Sequence, residues 1–273
     1  MEGCEMNFDL SKINFSRFDL KRGLKLPRRL DEKLAEDMGI MVGDGSIGKI
    51  VRPKRAVDYQ IMCYGNAITD SLFYGNYVKN LKKDLFNLNF QFSNKPKNTC
   101  ELRINSKGLL EFYTKIIGLP LGRKGNLRVP LLIMNSTNKI KSAFIRGLAD
   151  SDFSFTFRRK SKNIMYYPLI KLQTISNNLV SDLKNILEDM HFKTTTSYGL
   201  KSIHPLTKSL LTNHQISLNG KYNLERWMTN IKFNNPKNIL KYNLWKKHGF
   251  CPDDKEIRKL MGTGSWGFEP LTY

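Results

Sequence analysis

The sequence predicts an α/β (α+β) fold of two pseudo-twofold-related halves, each running α-β-β-α-β-β-α. Three observations predict it. Two short stretches are near copies: Gly39-Ile40-Met41-Val42-Gly43-Asp44-Gly45-Ser46 and Gly147-Leu148-Ala149-Asp150-Ser151-Asp152-Phe153-Ser154, with Asp44 and Asp152 108 residues apart. Hydrophobic spacing alternates between helical and strand periods in the same order on both sides of residues 118–136. Single positions also repeat. Val78, Leu81, Lys82, Leu85 and Phe90 match Val180, Leu183, Lys184, Leu187 and Phe192 at an offset of 102, and Ile104-Asn105-Ser106-Lys107 matches Leu218-Asn219-Gly220-Lys221 at 114. The offsets differ because loops differ in length, and a repeat this long fits paired domains rather than a solenoid.

Residues 1–30 read as a basic, irregular N-terminal arm. The first half, 31–117, opens on Asp31 as an N-cap, after which Leu34, Ala35, Met38, Met41 and Val42 recur at helical spacing and Gly45 ends the helix. Residues 46–66 read as two strands around Pro53-Lys54-Arg55, Ser71 to Leu88 as a helix, and Phe90 to Asn105 as two strands around Asn94-Lys95-Pro96. Lys107 to Ile117 is a helix stopped by Gly118-Leu119-Pro120. A linker, 118–136, leads to the second half, 137–231. There Thr137 is the candidate cap of a helix to Ser151, followed by strands Phe153 to Phe157 and Tyr166 to Ile175. A helix from Leu179 to Met190, strands Phe192 to Tyr198 and His214 to Leu218, and a helix Lys221 to Ile231 complete it. Of residues 232–273, Pro236 to Lys247 reads as a basic helix and Met261 to Tyr273 as a tail.

Charge narrows the function. Lys and Arg number 45 against 24 Asp and Glu, a net +21. Such a field attracts polyanions, and phosphate contacts would dominate affinity, so nucleic acid is the leading partner. A solvated basic surface or a ribosome-associated protein would share that charge. No apolar run reaches the ~20 residues that span a bilayer, and the MEGCEMNFDL start has no apolar segment of a secretory leader. The expected place is therefore inside the cell, cytoplasmic and nucleoid-associated in a prokaryote, with no membrane partner. Cys4, Cys63, Cys100 and Cys251 are scattered without ligand spacing, and the four histidines form no metal motif.

The two motif copies carry the chemistry. Gly39 and Gly43 share one helix face, as do Gly147 and Ser151 on the other helix. Small residues at that spacing let two helix backbones approach closely, which makes these four the helix-interface residues. The C-terminal ends would then lie together, each bearing an Asp on top of the helix dipole's negative end. Divalent cations offset such crowding, and Mg²⁺ takes carboxylate and phosphate oxygens. Two carboxylates beside a phosphodiester in a basic protein point to metal-assisted hydrolysis. The run Gly43-Asp44-Gly45-Ser46-Ile47-Gly48 also matches GxGxxG, but the helix precedes it instead of following, which excludes a dinucleotide site.

This constellation resembles the LAGLIDADG homing endonucleases, archaeal-type, single-chain and two-motif. It does so in Gly39-Ile40-Met41-Val42-Gly43-Asp44-Gly45, in Gly147-Leu148-Ala149-Asp150-Ser151-Asp152-Phe153, and in the element order over about residues 34–231. Asn235-Pro236-Lys237 and Tyr242 to Pro252 are similar to the ending of archaeal members. The resemblance implies a saddle of two antiparallel sheets along the DNA major groove. It also implies a monomeric, Mg²⁺-dependent, sequence-specific double-strand nuclease that cuts across the minor groove and leaves short 3′ overhangs, with Mn²⁺ or Ca²⁺ able to substitute in binding. Asp44 and Asp152, with Gly43 and Ser151 beside them, would hold the metal. Gln173, 21 residues past Asp152, fits a water-positioning place, with Gly65 or Asn66 as its counterpart, and Lys107 and Lys221 are candidate phosphate or water-network residues. Lys49, Arg52, Lys54, Arg55, Gln60, Arg103, Arg158, Arg159, Lys160 and Lys171 are candidate DNA contacts, to bases or phosphates. The second motif departs from the first in one way: Phe153 occupies the place that Gly45 holds, and a side chain there restricts the helix exit. A free-standing or intron-encoded protein is expected. Alternatives with the same fold are an RNA-splicing maturase, with intron RNA as partner, and a catalytically inactive DNA-binding regulator.

Overall fold

A computed structural model describes residues 7–53, 57–159, 164–203 and 208–263. Two four-stranded antiparallel sheets stand beside a central helix pair. The first sheet has the order β1-β2-β4-β3, from β1 (Gly45–Val51), β2 (Val57–Asn66), β3 (Gln91–Lys95) and β4 (Thr99–Asn105). The second repeats it as β5-β6-β8-β7, from β5 (Ser154–Arg158), β6 (Tyr167–Thr174), β7 (Thr194–Ile203) and β8 (Leu210–Asn219). The central helices are α2 (Glu32–Gly43) and α6 (Asn138–Asp152), which feed directly into β1 and β5. Each has an apolar face that must leave water, and Leu34, Met38 and Ile40 of one and Phe144, Ile145 and Leu148 of the other are buried.

Local signals explain most element ends. Asp31 accepts from Leu34 N at 2.8 Å and starts α2. Ser106 caps α4 (Lys107–Glu111) and Ser176 caps α7 (Asn177–Asp189) in the same way. Asn235 caps α9 (Pro236–His248), whose Pro236 occupies the first turn, where a missing N–H costs nothing. Gly249, at φ 75°, ends α9 in the left-handed conformation that a side chain would disfavour. Thr137 precedes α6 in extended conformation, but its side chain makes no capping bond. Gly45 does not end α2; Asp44 is the C-cap and Gly45 already belongs to β1.

Several segments are more regular than their sequence suggests. The N-terminal arm contains α1 (Arg17–Lys21), started by a reciprocal Ser16/Asp19 capping box. Asp19 is fully buried and also accepts from Ser106 Oγ at 2.6 Å and Gly108 N at 3.0 Å, so the arm is clamped to the start of α4. A π-helical turn, Phe73–Val78, precedes α3 (Lys79–Phe86), and another, Phe112–Ile116, follows α4. The linker holds a short α5 (Leu131–Met134). After α8 (Gly220–Asn230) and α9 comes a further helix, α10 (Asp254–Thr263), where a tail is expected from Met261 onward. Residues 264–273 of that tail fall outside the described residues.

Candidate active site at the helix seam

The seam between α2 and α6 exists because it has almost no side chains. A Cβ on Gly39 would lie 2.1 Å from the Phe144 carbonyl oxygen, and one on Gly147 2.1 Å from the Glu36 carbonyl oxygen. Real side chains do not tolerate such distances, so glycine is required at both places by close approach. At the C-terminal ends a Cβ on Gly43 would sit 2.1 Å from Ser151 Oγ and 3.2 Å from Asp152 Cβ. The two motif ends therefore abut. A buried polar network ties the flank of the seam. Arg146 pairs with Glu36 at 2.6 Å, while Tyr77 Oη and Asn234 Nδ2 donate to the same carboxylate at 2.8 and 2.7 Å. Asp150, at the position of Val42, accepts from Asn234 N at 2.6 Å and Asn238 Nδ2 at 3.0 Å.

Asp44 and Asp152 close the two helices side by side. Burial, helped by the nearby charges of Asp152 and Asp70 and opposed by a hydrogen bond from Tyr74, holds the Asp44 carboxyl up at about 7. Burial also raises Asp152, against the pull of Lys124. Both acids stand at negative helix ends, Asp44 half-buried and Asp152 more open to water.

Lys124, from the linker, answers that condition. Its Nζ donates to the carbonyl oxygens of Met41, Val42 and Gly43 at 2.9, 3.0 and 2.7 Å, capping α2 beside both acids. An ammonium seated there marks the spot as one that attracts cations. The donor set of two carboxylates and a main-chain carbonyl is all oxygen, which suits Mg²⁺. Among the described residues no group of three His, Cys, Asp or Glu gathers, so phosphate and water would complete the shell. Ser151 Oγ is committed to the carbonyls of Gly147 and Leu148, which leaves only its main chain for a ligand.

Other expected site residues lie elsewhere. Lys107 pairs with Glu111 at 3.9 Å and Lys221 with Glu225 at 3.5 Å, each along its own helix. Asn66 Oδ1 accepts from Ile68 N and Thr69 N, so that amide holds a turn. Gln173 is exposed on the face of the second sheet opposite the buried Leu172. Strand register also corrects its counterpart. Gly45 pairs with Cys63, whereas Ser154 pairs with Lys171, so buried Cys63 corresponds to buried Leu172 and Tyr64 to Gln173. The hairpin from Ser154 to its partner Lys171 is one residue longer than that from Ser46 to its partner Met62, and counting from the acids misses it.

The open faces of the sheets, turned away from the helices, are polar. Gln60, Arg103 and Lys171 lie there, Gln60 being buried in the sheet centre opposite Gly48 and Asn105. Arg158 ends β5 exposed, and Arg159 follows it, also exposed. Lys49 does not share that face. It stands two residues from buried Ile47 and so shares its face, pairs with Tyr59, and sets its ammonium 5.9 Å from that ring on the helix side. Arg52 is held by Asp58 at 2.6 Å. Lys54, Arg55 and Lys160 lie outside the described residues. Phe153 leaves α6 in extended conformation and turns inward, 6.1 Å from Trp227. Gly45 is needed for space rather than rotation, since a Cβ there would meet the Met41 carbonyl oxygen at 2.5 Å.

No protein-family model matches the chain. Among curated proteins it is similar to an A-type ATP synthase subunit of Pyrococcus abyssi, 32% identical over 139 residues, which are 50% of this chain and 12% of that protein. It is also similar to an uncharacterized protein of Methanocaldococcus jannaschii, 22% identical over 191 residues, 67% of this chain and 64% of that one. The chain thus spans less than two thirds of either relative. Among solved structures it is similar to I-DmoI in complex with DNA and Ca, with a TM-score of 0.52 and 14% identity, covering 78% of this chain and 97% of that one. I-SmaMI bound to an uncleaved DNA target in the presence of calcium ions gives a TM-score of 0.50 and 12% identity, covering 86% of this chain and 99% of that one. At such identities the likeness is one of fold: the two-sheet α/β architecture of these proteins, of which I-DmoI is named a homing endonuclease.

Proposed function

We propose that the chain is a sequence-specific double-strand DNA endonuclease of the homing type, working as a single chain with one acid from each half. The observation that carries this reading is the abutment of Asp44 and Asp152 at the seam of two basic, pseudo-symmetric halves. The net charge of +21 and the likeness in fold to proteins described as bound to DNA add support. In this reading residues 31–117 and 137–231 each lay a sheet along one half of the target. Arg103, Lys171, Arg158 and Arg159 contact bases or phosphates, and Arg52 does so when Asp58 releases it. The glycine seam fixes the spacing of the two acids against the two scissile phosphodiesters, so cuts fall across the minor groove with short 3′ overhangs.

Asp44 and Asp152 would hold divalent metal, Mg²⁺ in the cell, which supplies charge for the leaving oxygen and an activated water. The chain's own residues do the remaining work. Asp44 and Asp152 must be ionised, and a bound cation restores the charge that burial disfavours. Lys124, its donors spent on the α2 carbonyls, keeps a positive charge beside both acids. Gln173, with Tyr64 at the matching register position of the first sheet, would orient water.

Cleavage of a randomised duplex library with Mg²⁺ tests the reading. Wild type should cut both strands at a recoverable site, while Asp44→Asn and Asp152→Asn should each abolish double-strand cutting. Double-strand cutting that survives both substitutions would overturn it. So would a protein that binds duplex DNA and never cuts with Mg²⁺ or Mn²⁺.

A further inference from the structure

The two acids are not held alike. Tyr74 Oη donates to Asp44 Oδ2 at 2.6 Å, and the phenol is completely buried. Two features of the first half put it there. The π-helical turn Phe73–Val78 displaces the side chains from a regular helical track, and Gly65 on the adjoining strand leaves room for the ring. A Cβ on Gly65 would stand 2.5 Å from Tyr74 Cε2. A tyrosine hydroxyl carries its proton at neutral pH, so in this geometry it donates to the carboxylate. Among the described residues the second half lacks the device. The repeat offset of 102 sets Ser176 at the place of Tyr74, and its hydroxyl is spent on capping α7 and on the Leu127 carbonyl. Among the described residues no side chain hydrogen-bonds Asp152.

We propose that Tyr74 is a positioning residue that pins Asp44 Oδ2, presents Oδ1 alone for ligation, and thereby makes cleavage of the two DNA strands unequal. A carboxylate held by a buried donor does not rotate, so the acid of the first half is preordered for its cation and its phosphate. Asp152 must be ordered by what binds it. The strand served by Asp44 is therefore cut first. This inference rests on the endonuclease reading for its kinetic part and on the hydrogen bond alone for its binding part.

The test compares wild type, Tyr74→Phe, Asp44→Asn and Tyr77→Phe. Tyr77 is a neighbouring half-buried tyrosine that donates to Glu36 and not to an acid of the site, and so serves as the control for lost packing or a lost hydrogen bond. Mn²⁺ binding to the free protein is followed by electron paramagnetic resonance, and cutting of each strand of the selected target is followed with separate end labels. Tyr74→Phe should weaken the Mn²⁺ site that Asp44→Asn removes, and slow one strand by roughly 10–100-fold, the scale of one charge-assisted hydrogen bond. The other strand should stay near wild type, and Tyr77→Phe should leave the strand ratio unchanged. Equal slowing of both strands, or unaltered Mn²⁺ binding in Tyr74→Phe, would overturn the proposal. A wild type that never cuts, while Tyr74→Phe still weakens the Asp44 site, would sink the endonuclease reading and uphold the pinning of Asp44.

Discussion

The two halves use one plan and spend it differently. In the first, the chain leaves α2 at Asp44, passes through Gly45 with no room for a side chain, and lets Tyr74 reach the acid. In the second, α6 carries on through Asp152, and Phe153 turns inward to pack near Trp227. The motif's other asymmetry has a similar meaning. Val42 is plain core, while Asp150 receives the C-terminal segment through Asn234, Asn235 and Asn238. The repeat position Lys82/Lys184 diverges too: Lys82 is fully buried against Asp37, and Lys184 sits near Glu188 on the surface. A duplicated fold thus keeps its seam and its acids while what surrounds them drifts. The constraint lies in backbone contact between the helices, since side chains around it have exchanged polar for apolar roles.

That comparison breaks first at the seam. Gly39→Ala and Gly147→Ala should each cost more than about 4 kcal/mol in denaturant unfolding, because the added carbon meets backbone rather than a movable side chain. Unequal losses would show that the seam is not symmetric, and Gly48→Ala, with open space around it, should be near neutral. Next come the helix exits. Phe153→Ala should cost about 3–5 kcal/mol through a cavity beside Trp227, and Gly45→Ala about 1–3 kcal/mol through strain against Met41. Similar small losses at both would mean that the exits are interchangeable.

Asp150 sharpens the comparison through pH. Burial holds its carboxyl at about 7 in the folded protein against an ordinary 3.8. The folded state therefore binds this proton more tightly than the unfolded chain. Its contribution to stability falls as pH rises from about 4 to about 7 and stays low above that. Asp150→Asn should flatten that slope in melts taken across the range. Asp150→Val, which copies the first half, should cost about 2–4 kcal/mol by orphaning buried donors. The smallest effects belong to Lys107→Ala and Lys221→Ala, each within about 0.5 kcal/mol, since both are surface ion pairs along a helix. Loss of cutting in either without loss of DNA affinity would return them to the site.

Much of this is legible in the residues. The helix and strand order follows from hydrophobic period, and the seam from glycines and a serine four apart. The rest is hidden for identifiable reasons. Lys124 lies in an aperiodic linker, so nothing in its surroundings announces that the chain folds back onto α2. The repeat pairs Lys107 with Lys221, but helix-start lysines repeat as readily as site residues do. Counting from the acids matches Gln173 to Gly65 or Asn66, while the register that matches it to Tyr64 depends on a one-residue difference in hairpin length. Charge alone makes Lys49 a contact residue; the face it shares with Ile47, two residues away, sends it to the helix side. Tyr74 needs both a π-helical turn and a glycine opposite, neither of which spacing predicts.

The central claim is that the two motif ends meet and make one site. Replacing Gly43 and Ser151 together by cysteine tests it most directly, because a Cβ on Gly43 would lie 3.0 Å from Ser151 Cβ, so that a small parting of the two helix ends reaches the ~3.5–4.5 Å of a disulfide. Under mild oxidation the two added thiols should form an intramolecular bridge, seen as a cross-linked peptide pair after digestion. Added thiols that both stay free in the folded protein would contradict the account.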